Sequence, residues 1–347
     1  MTFEDFKRDG AARTATSRVT GERLGDCLIV QPIHAAGLDR LERAGLRPRL
    51  ATATDAVTLA REAAGCIAVV TRNIGFPADA IAAAPHLRVI GVHGAGTDPV
   101  ALPEASRAGI AVVNTPGANA RSVAEHAIAL MFALVKALPA ADHAVRTGNF
   151  GFKYNAGLLE LQGRCFGVIG FGQIGRATAR LAAGLGMRVI AYGPSRPEAD
   201  FAAVPAERAE TIAAVIERAD VVSLHLPLTA QTRGLIGLTE LASMKSDAFL
   251  INTSRGGLID EPALIAALEA GRIGGAGLDV FASEDMPADH PLLRQQRAIL
   301  TPHVAGSTTA CLVRTAEAVV EQVIDVLAGQ RPASLVNPDV WAHRRLP

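Results

Sequence analysis

Short apolar runs alternate with amphipathic stretches along almost the whole chain. CLIV (27–30), CIAVVTR (66–72), LRVIGV (87–92) and AVVN (111–114) have the length of buried strands, and the segments between them carry helical spacing. Strands that alternate with helices predict βαβ units and therefore a parallel sheet. A second series follows: CFGVIGFG (165–172), RVIAYG (188–193), VVSLHLP (221–227), AFLINTS (248–254), GAGLDV (275–280) and AILTPH (298–303). Its six strands suffice for one complete doubly wound α/β domain.

Between the two series lies SVAEHAIALMFALVKAL (122–138), whose Ser122 and Glu125 have capping-box spacing and predict a helix start there. Beyond the cap it is apolar nearly all round, so it must be covered by its own domain or by a second subunit, which makes it the expected homodimer interface. After the second series, TTACLVRTAEAVVEQVIDVLAG (308–329) is an amphipathic helix closed by Gly329. One helix cannot make a domain, so it is expected to return to the first. The chain then crosses twice, near Pro116–Asn119 and near Pro302–Gly306. The expected architecture is two Rossmann-like or flavodoxin-like parallel-sheet α/β domains with a cleft between them. Residues 1–25 form an N-terminal tail, 26–117 with 304–336 one domain, and 118–303 the other.

Composition agrees with that class: 49% of residues are hydrophobic but only 4% aromatic, the aliphatic palette of strands sandwiched between helices. Lys plus Arg equals Asp plus Glu, so the sequence carries no electrostatic footprint for nucleic acid. Cys27, Cys66, Cys165 and Cys311 form no C-x-x-C pair and are expected as buried reduced thiols. The first 25 residues lack the apolar stretch of a signal peptide. The longest apolar run, Ala127–Val135, is far short of the roughly 20 residues of a membrane span. A soluble cytoplasmic protein is expected.

GVIGFGQIGRA (167–177) holds Gly170, Gly172 and Gly175 in G-x-G-x-x-G spacing, after an aliphatic strand and at the opening of a helix that begins with Gln173 and Ile174. That context suits a dinucleotide pyrophosphate: a tight turn, a bare backbone and a helix N-terminus facing the anion. An NAD site would place Asp or Glu at the tip of the next strand, to accept from the ribose 2′-hydroxyl. That position is Gly193. Ser195 and Arg196 follow it and can donate to a 2′-phosphate, a charge-assisted contact of about 1.5–3 kcal/mol. The expected cofactor is NADP or NAD, and the missing acid shifts the expectation towards NADP.

Three further stretches fall at strand ends. INTSRGGLIDE (251–261) puts Arg255 after a strand and Asp260 at a helix cap; GLDVFASED (277–285) carries Asp279 and Glu284; LTPHVAGST (300–308) carries His303. Singly, each has an ordinary explanation: a structural ion pair, a loop acid, a core histidine. Together they match one chemistry. Hydride transfer to a carbonyl carbon needs a proton donor at oxygen, which an imidazolium beside a carboxylate can be, and a carboxylate clamp, which a guanidinium provides with two fixed donors.

These stretches, in this order and spacing, resemble the D-isomer-specific 2-hydroxyacid dehydrogenase family, from about residue 27 to about 337. The resemblance implies that Arg255 binds the carboxylate and carbonyl of a 2-keto acid, that His303 is the acid/base, and that Glu284 orients His303 and favours its charged form. It implies cofactor contacts at Leu226, Pro227, Thr232, Thr253, Ser254, Asp279 and Gly306, besides Arg255 and His303 themselves. In the first domain, VVTRN sets Arg72 and Asn73 where the family has a substrate-contacting loop, often Arg-Ser. GVHGAGTDPVAL (91–102) resembles the segment whose amides meet the substrate carboxylate, here around Gly94, Ala95 and Gly96. Asp98 is present there, whereas Ala101 stands where the family often has a second acid. NTPGANARSVAEHA (114–127) resembles the opening of a helix found at a dimer interface in relatives.

The implied activity is an NAD(P)-dependent D-2-hydroxyacid dehydrogenase of the glyoxylate/hydroxypyruvate reductase kind, with no metal. A short phosphoglycerate dehydrogenase is the alternative, because the chain ends soon after LVNPD, where longer relatives carry regulatory domains. Formate dehydrogenases share the scaffold but typically have Gln at the position of Glu284. Corepressor-like dinucleotide sensors keep the Arg/Glu/His set, and would be marked by a long tail or a peptide-binding surface.

Overall fold

The computed structural model describes residues 24–283 and 285–346. Most of the expected N-terminal tail therefore lies outside the described residues, and Gly25 already belongs to the first strand. The described residues up to Asn119 and from Thr309 onward make one compact unit, and Ala120–Thr308 make the other.

The first unit is a five-stranded parallel sheet of β1 (Gly25–Ile29), β2 (Leu46–Leu50), β3 (Cys66–Thr71), β4 (Val89–Val92) and β5 (Ala111–Val113), in the order β2-β1-β3-β4-β5. Successive side chains enter opposite faces. Cys27, Ile29, Val70 and Val89 meet Ala316, Val319, Val320 and Val323 of the Thr309–Leu327 helix, while Leu28, Val69 and Ile90 join a second core on the other side. The C-terminal helix thus returns to this sheet.

The second unit is a seven-stranded parallel sheet of β6 (Cys165–Ile169), β7 (Arg188–Tyr192), β8 (Ala206–Arg208), β9 (Val221–Leu224), β10 (Phe249–Asn252), β11 (Gly275–Leu278) and β12 (Ala298–Leu300). Its order is β12-β11-β10-β9-β6-β7-β8. The order reverses between β6 and β9, and ligands of open α/β sheets bind beyond the strand ends at such a switch.

All ten expected strands are present, and two more are found. β2 (LRPRL) and β8 (AER) are edge strands, half exposed and charged, so neither forms an apolar run. Pro48 is tolerated in β2 because an edge strand need not donate on both sides. The helix between the series also departs from expectation. It spans Ala120–Val135, starting before Ser122, so the expected capping box is not formed. Ser122 instead bonds Thr308 through the two hydroxyls at 2.8 Å, and Glu125 pairs with Arg121. Most of this helix is covered by its own unit, where Ala127, Leu130 and Met131 share a core with Phe166, Val168 and Ile251. All four cysteines are buried, and burial pushes the Cys27 thiol far up. Among the described residues no single helix is long and apolar enough to cross a membrane.

Candidate active site

The glycine turn sits at the sheet switch point, directly after β6. A Cβ on Gly170 would lie 2.6 Å from the His225 backbone, at a φ of +102° that side chains rarely adopt; one on Gly175 would lie 2.0 Å from the Gly170 carbonyl oxygen. The protein's own packing therefore requires both glycines. Gly172 is different: its φ is −74° and nothing lies within 4 Å of its Cβ position. Among the described residues no neighbour demands a glycine there, whereas a pyrophosphate approaching the bare backbone would. Gln173 and Ile174 open the helix Gln173–Gly184 just behind it.

A second fit to a dinucleotide lies across the turn. Thr253 is 7% exposed and its buried hydroxyl has no hydrogen-bond partner among the described residues, an arrangement that a bound group can satisfy. Near it, Ser254 Oγ donates to the Leu226 carbonyl at 2.5 Å, and Thr232 Oγ1 donates to the Pro227 carbonyl at 2.7 Å. At the tip of β7, Gly193 is buried while Ser195 and Arg196 are exposed.

The expected clamp, Arg255, and the expected acid/base, His303, follow strands on either side of the one that leads to Asp279. Arg255 follows β10, Asp279 follows β11 and His303 follows β12, all at the C-terminal edge of the sheet. These loops are tied in series: the Asp279 amide donates to the Asn252 carbonyl and the His303 amide to the Asp279 carbonyl, both at 2.9 Å. Asn252 clamps the first loop, its side chain donating to the Arg255 carbonyl at 2.8 Å and accepting from the Ser254 amide at 3.0 Å. Arg255 in turn donates to the Ser254 carbonyl at 2.7 Å, and Asp260 caps the helix Glu261–Glu269 as expected.

The Asp279 carboxylate is completely buried and turned inward. It accepts from Thr301 Oγ1 at 2.6 Å, the Val304 amide at 2.9 Å and the Ala305 amide at 2.8 Å, with His126 Nε2 at 3.5 Å. Burial pushes this carboxyl up, but the hydrogen bonds from His126, Thr301 and the two amides outweigh it and hold it below the usual carboxylate range. His126 Nε2 also stands 3.0 Å from Thr301 Oγ1; because that hydroxyl gives its hydrogen to Asp279, the imidazole is the donor in this contact. The carboxylate therefore fixes the turn that carries His303 and leads into Gly306. His303 itself is half-buried with φ 53°, in the left-handed region. Glu284 lies outside the described residues.

The segments expected to meet substrate in the first unit are tied down by hydrogen bonds within it. Arg72 donates to the Pro32 carbonyl at 3.0 Å, and burial lowers its pKa; Asn73 accepts from Gln31 at 2.8 Å. Asn114 donates to the Ala95 carbonyl at 2.7 Å and the Thr115 amide to that of Gly94 at 2.9 Å, which holds the Gly94–Gly96 segment.

A family profile described as "D-isomer specific 2-hydroxyacid dehydrogenase, NAD binding domain" matches residues 128–305. The glyoxylate reductase of Thermofilum pendens is 38% identical over 272 residues, covering 78% of this chain and 80% of its own. The chain belongs to the D-isomer-specific 2-hydroxyacid dehydrogenase family. Members of this family are NAD(P)-linked oxidoreductases acting on CH–OH groups. The D-3-phosphoglycerate dehydrogenase of Archaeoglobus fulgidus is 36% identical over 318 residues; these cover 89% of this chain but only 59% of that relative. The fold also matches the NADPH-dependent glyoxylate/hydroxypyruvate reductase from Sinorhizobium meliloti in complex with NADP and malonate. There the TM-score is 0.81 at 27% identity, over 93% of this chain and 99% of that one.

Asn252, Thr301 and His126 emerge only from the structure of this family member. Asn252 had a local signal, since Asn at a strand end two residues before a Ser is a common turn former. His126 stood out only as one of the few polar positions in an apolar helix, and nothing local pointed to its partner Thr301, 175 positions away.

Proposed function

We propose that the protein is an NAD(P)-dependent D-2-hydroxyacid dehydrogenase that reversibly converts a small 2-keto acid, such as glyoxylate or hydroxypyruvate, into its 2-hydroxy acid. The observation that carries this reading is the backbone link from the Arg255 loop through Asp279 to the His303 turn. A clamp for an anion and a proton donor then share one sheet edge with a dinucleotide turn.

In this reading Arg255 binds the substrate carboxylate and carbonyl, with Arg72, Asn73 and the Gly94–Gly96 amides as further substrate contacts. His303 gives a proton to the carbonyl oxygen in reduction and takes it back in oxidation, and Glu284 keeps the imidazole charged and oriented. A bound nicotinamide cofactor supplies or accepts the hydride. Gly170, Gly172, Gly175, Thr253 and Ser254 hold the dinucleotide, and Ser195 with Arg196 faces a 2′-phosphate, which favours NADP over NAD. The protein acts in the cytoplasm as a homodimer. The half-covered Ile128 and Phe132 and the exposed Ala129 of the Ala120–Val135 helix support that helix as the interface.

The test is turnover of a keto-acid panel with NADPH and with NADH. Glyoxylate or hydroxypyruvate is expected to be reduced, faster with NADPH. Turnover of 3-phosphohydroxypyruvate alone would favour the phosphoglycerate dehydrogenase alternative. Tight cofactor binding with no turnover across the panel would overturn the enzyme reading in favour of a dinucleotide sensor.

A further inference from the structure

Beside the strand tip lies a charge arrangement that the dinucleotide turn does not require. Arg176, in the first turn of Gln173–Gly184, is ion-paired with Asp200, and Arg196 Nη1 stands 4.0 Å from the other Asp200 oxygen. Asp200 belongs to the short helix Glu198–Ala202, which follows the strand-tip loop. The side chains of Arg176 and Asp200 are only 22% and 23% exposed, so solvent screens this pair less than an open surface pair.

The strand tip itself has no room for the acid of an NAD site. A Cβ on Gly193 would lie 2.6 Å from Phe171 Cβ, and Phe171 is held by stacking on Phe201 with ring centroids 4.4 Å apart. Phe201 is the neighbour of Asp200. The carboxylate missing at position 193 is thus found seven residues later, turned towards two guanidinium groups.

We infer that Asp200 is a built-in competitor for the 2′-phosphate of the cofactor, and that Arg176 is a second cation for that phosphate besides Arg196. The inference rests on the reading that Ser195 and Arg196 face the 2′-phosphate. A phosphate of about −1.5 to −2 charges attracts both guanidinium groups more strongly than one carboxylate does. To reach them it must break the Asp200 pair and tolerate the displaced carboxylate nearby. Asp200 therefore reduces the preference for a 2′-phosphorylated cofactor and takes no part in hydride transfer. A cofactor with a free 2′-hydroxyl leaves the pair intact.

Calorimetric titration of the full chain with 2′,5′-ADP and with 5′-AMP isolates the phosphate without any catalytic readout, and NADPH and NADH are titrated alongside by fluorescence. Asp200→Asn is expected to tighten 2′,5′-ADP and NADPH about tenfold, leaving 5′-AMP and NADH within about twofold. Adding Arg176→Ala to Asp200→Asn is expected to remove most of that gain. Asp200→Ser, with melting curves for each variant, gives the same comparison should the asparagine variant fold poorly. Unchanged or weaker 2′,5′-ADP binding in folded Asp200 variants overturns the competitor role. If Arg196→Ala still weakens 2′,5′-ADP more than 5′-AMP in that case, the underlying cofactor reading stands. If Arg196→Ala weakens both equally, the reading and the competitor role fall together.

Discussion

His303 occupies a left-handed conformation that costs a residue with a side chain on the order of 1 kcal/mol or more. Its neighbours hold it there: its amide bonds the Asp279 and Thr301 carbonyls, and the next two amides end on the Asp279 carboxylate. The strained turn sets where the imidazole is presented. His303→Gln keeps the polar side chain but cannot act as a proton donor, so kcat for keto-acid reduction is expected to fall at least about a hundredfold. Steady-state kinetics of the folded variant checks this, and a near-normal kcat would remove His303 from the proton-transfer role.

At the scale of the strand–turn–helix element, the three glycines separate into two that packing requires, Gly170 and Gly175, and one, Gly172, that it does not. Gly172→Ala places a methyl group in open space at an ordinary φ, so the melting temperature is expected to stay within about two degrees of the parent. In the proposed reading the same methyl would stand where the pyrophosphate meets the backbone, so NADPH and NADH are both expected to bind at least about tenfold more weakly. Gly175→Ala drives a methyl into the Gly170 carbonyl and is expected to lower stability by about 1–3 kcal/mol. Melting curves and cofactor titrations on the two variants check the contrast, and equal destabilisation of both would make all three glycines packing residues.

Across the whole molecule, two imidazoles make stability depend on pH. Burial, and then the charge of Arg72, lowers His93 to about 4, and burial lowers His225 to about 4. Each binds its proton near pH 6.5 in the unfolded chain but only near pH 4 in the folded one. The unfolded state thus binds more protons between these values, and stability, complete above pH 6.5, declines as pH falls towards 4. The loss reaches up to about 3 kcal/mol per imidazole at the acid end. Urea unfolding at about pH 7.5 and about pH 5 is expected to show the decline, with a shallower one in the His93→Gln/His225→Gln variant. An equally steep decline in that variant would place the proton uptake elsewhere.

The central strands and the glycine turn were legible because their causes are local. A strand buried on both faces must be apolar along its length, and a turn against a pyrophosphate must dispense with side chains. The edge strands β2 and β8 were not legible, since an edge needs charge more than an apolar run. The start of the Ala120–Val135 helix was misplaced because Ser122 finds its partner in Thr308, not in its own first turn. Arg255 and His303 could be picked out by residue type, but nothing local shows that Asp279 ties their loops together. That depends on strand order, which brings the ends of β10, β11 and β12 side by side. The chain by itself determined the elements and the chemical groups it carries; only tertiary packing decided which groups meet, because hydrogen bonds between residues 22 or 175 positions apart exist only after the sheet has formed.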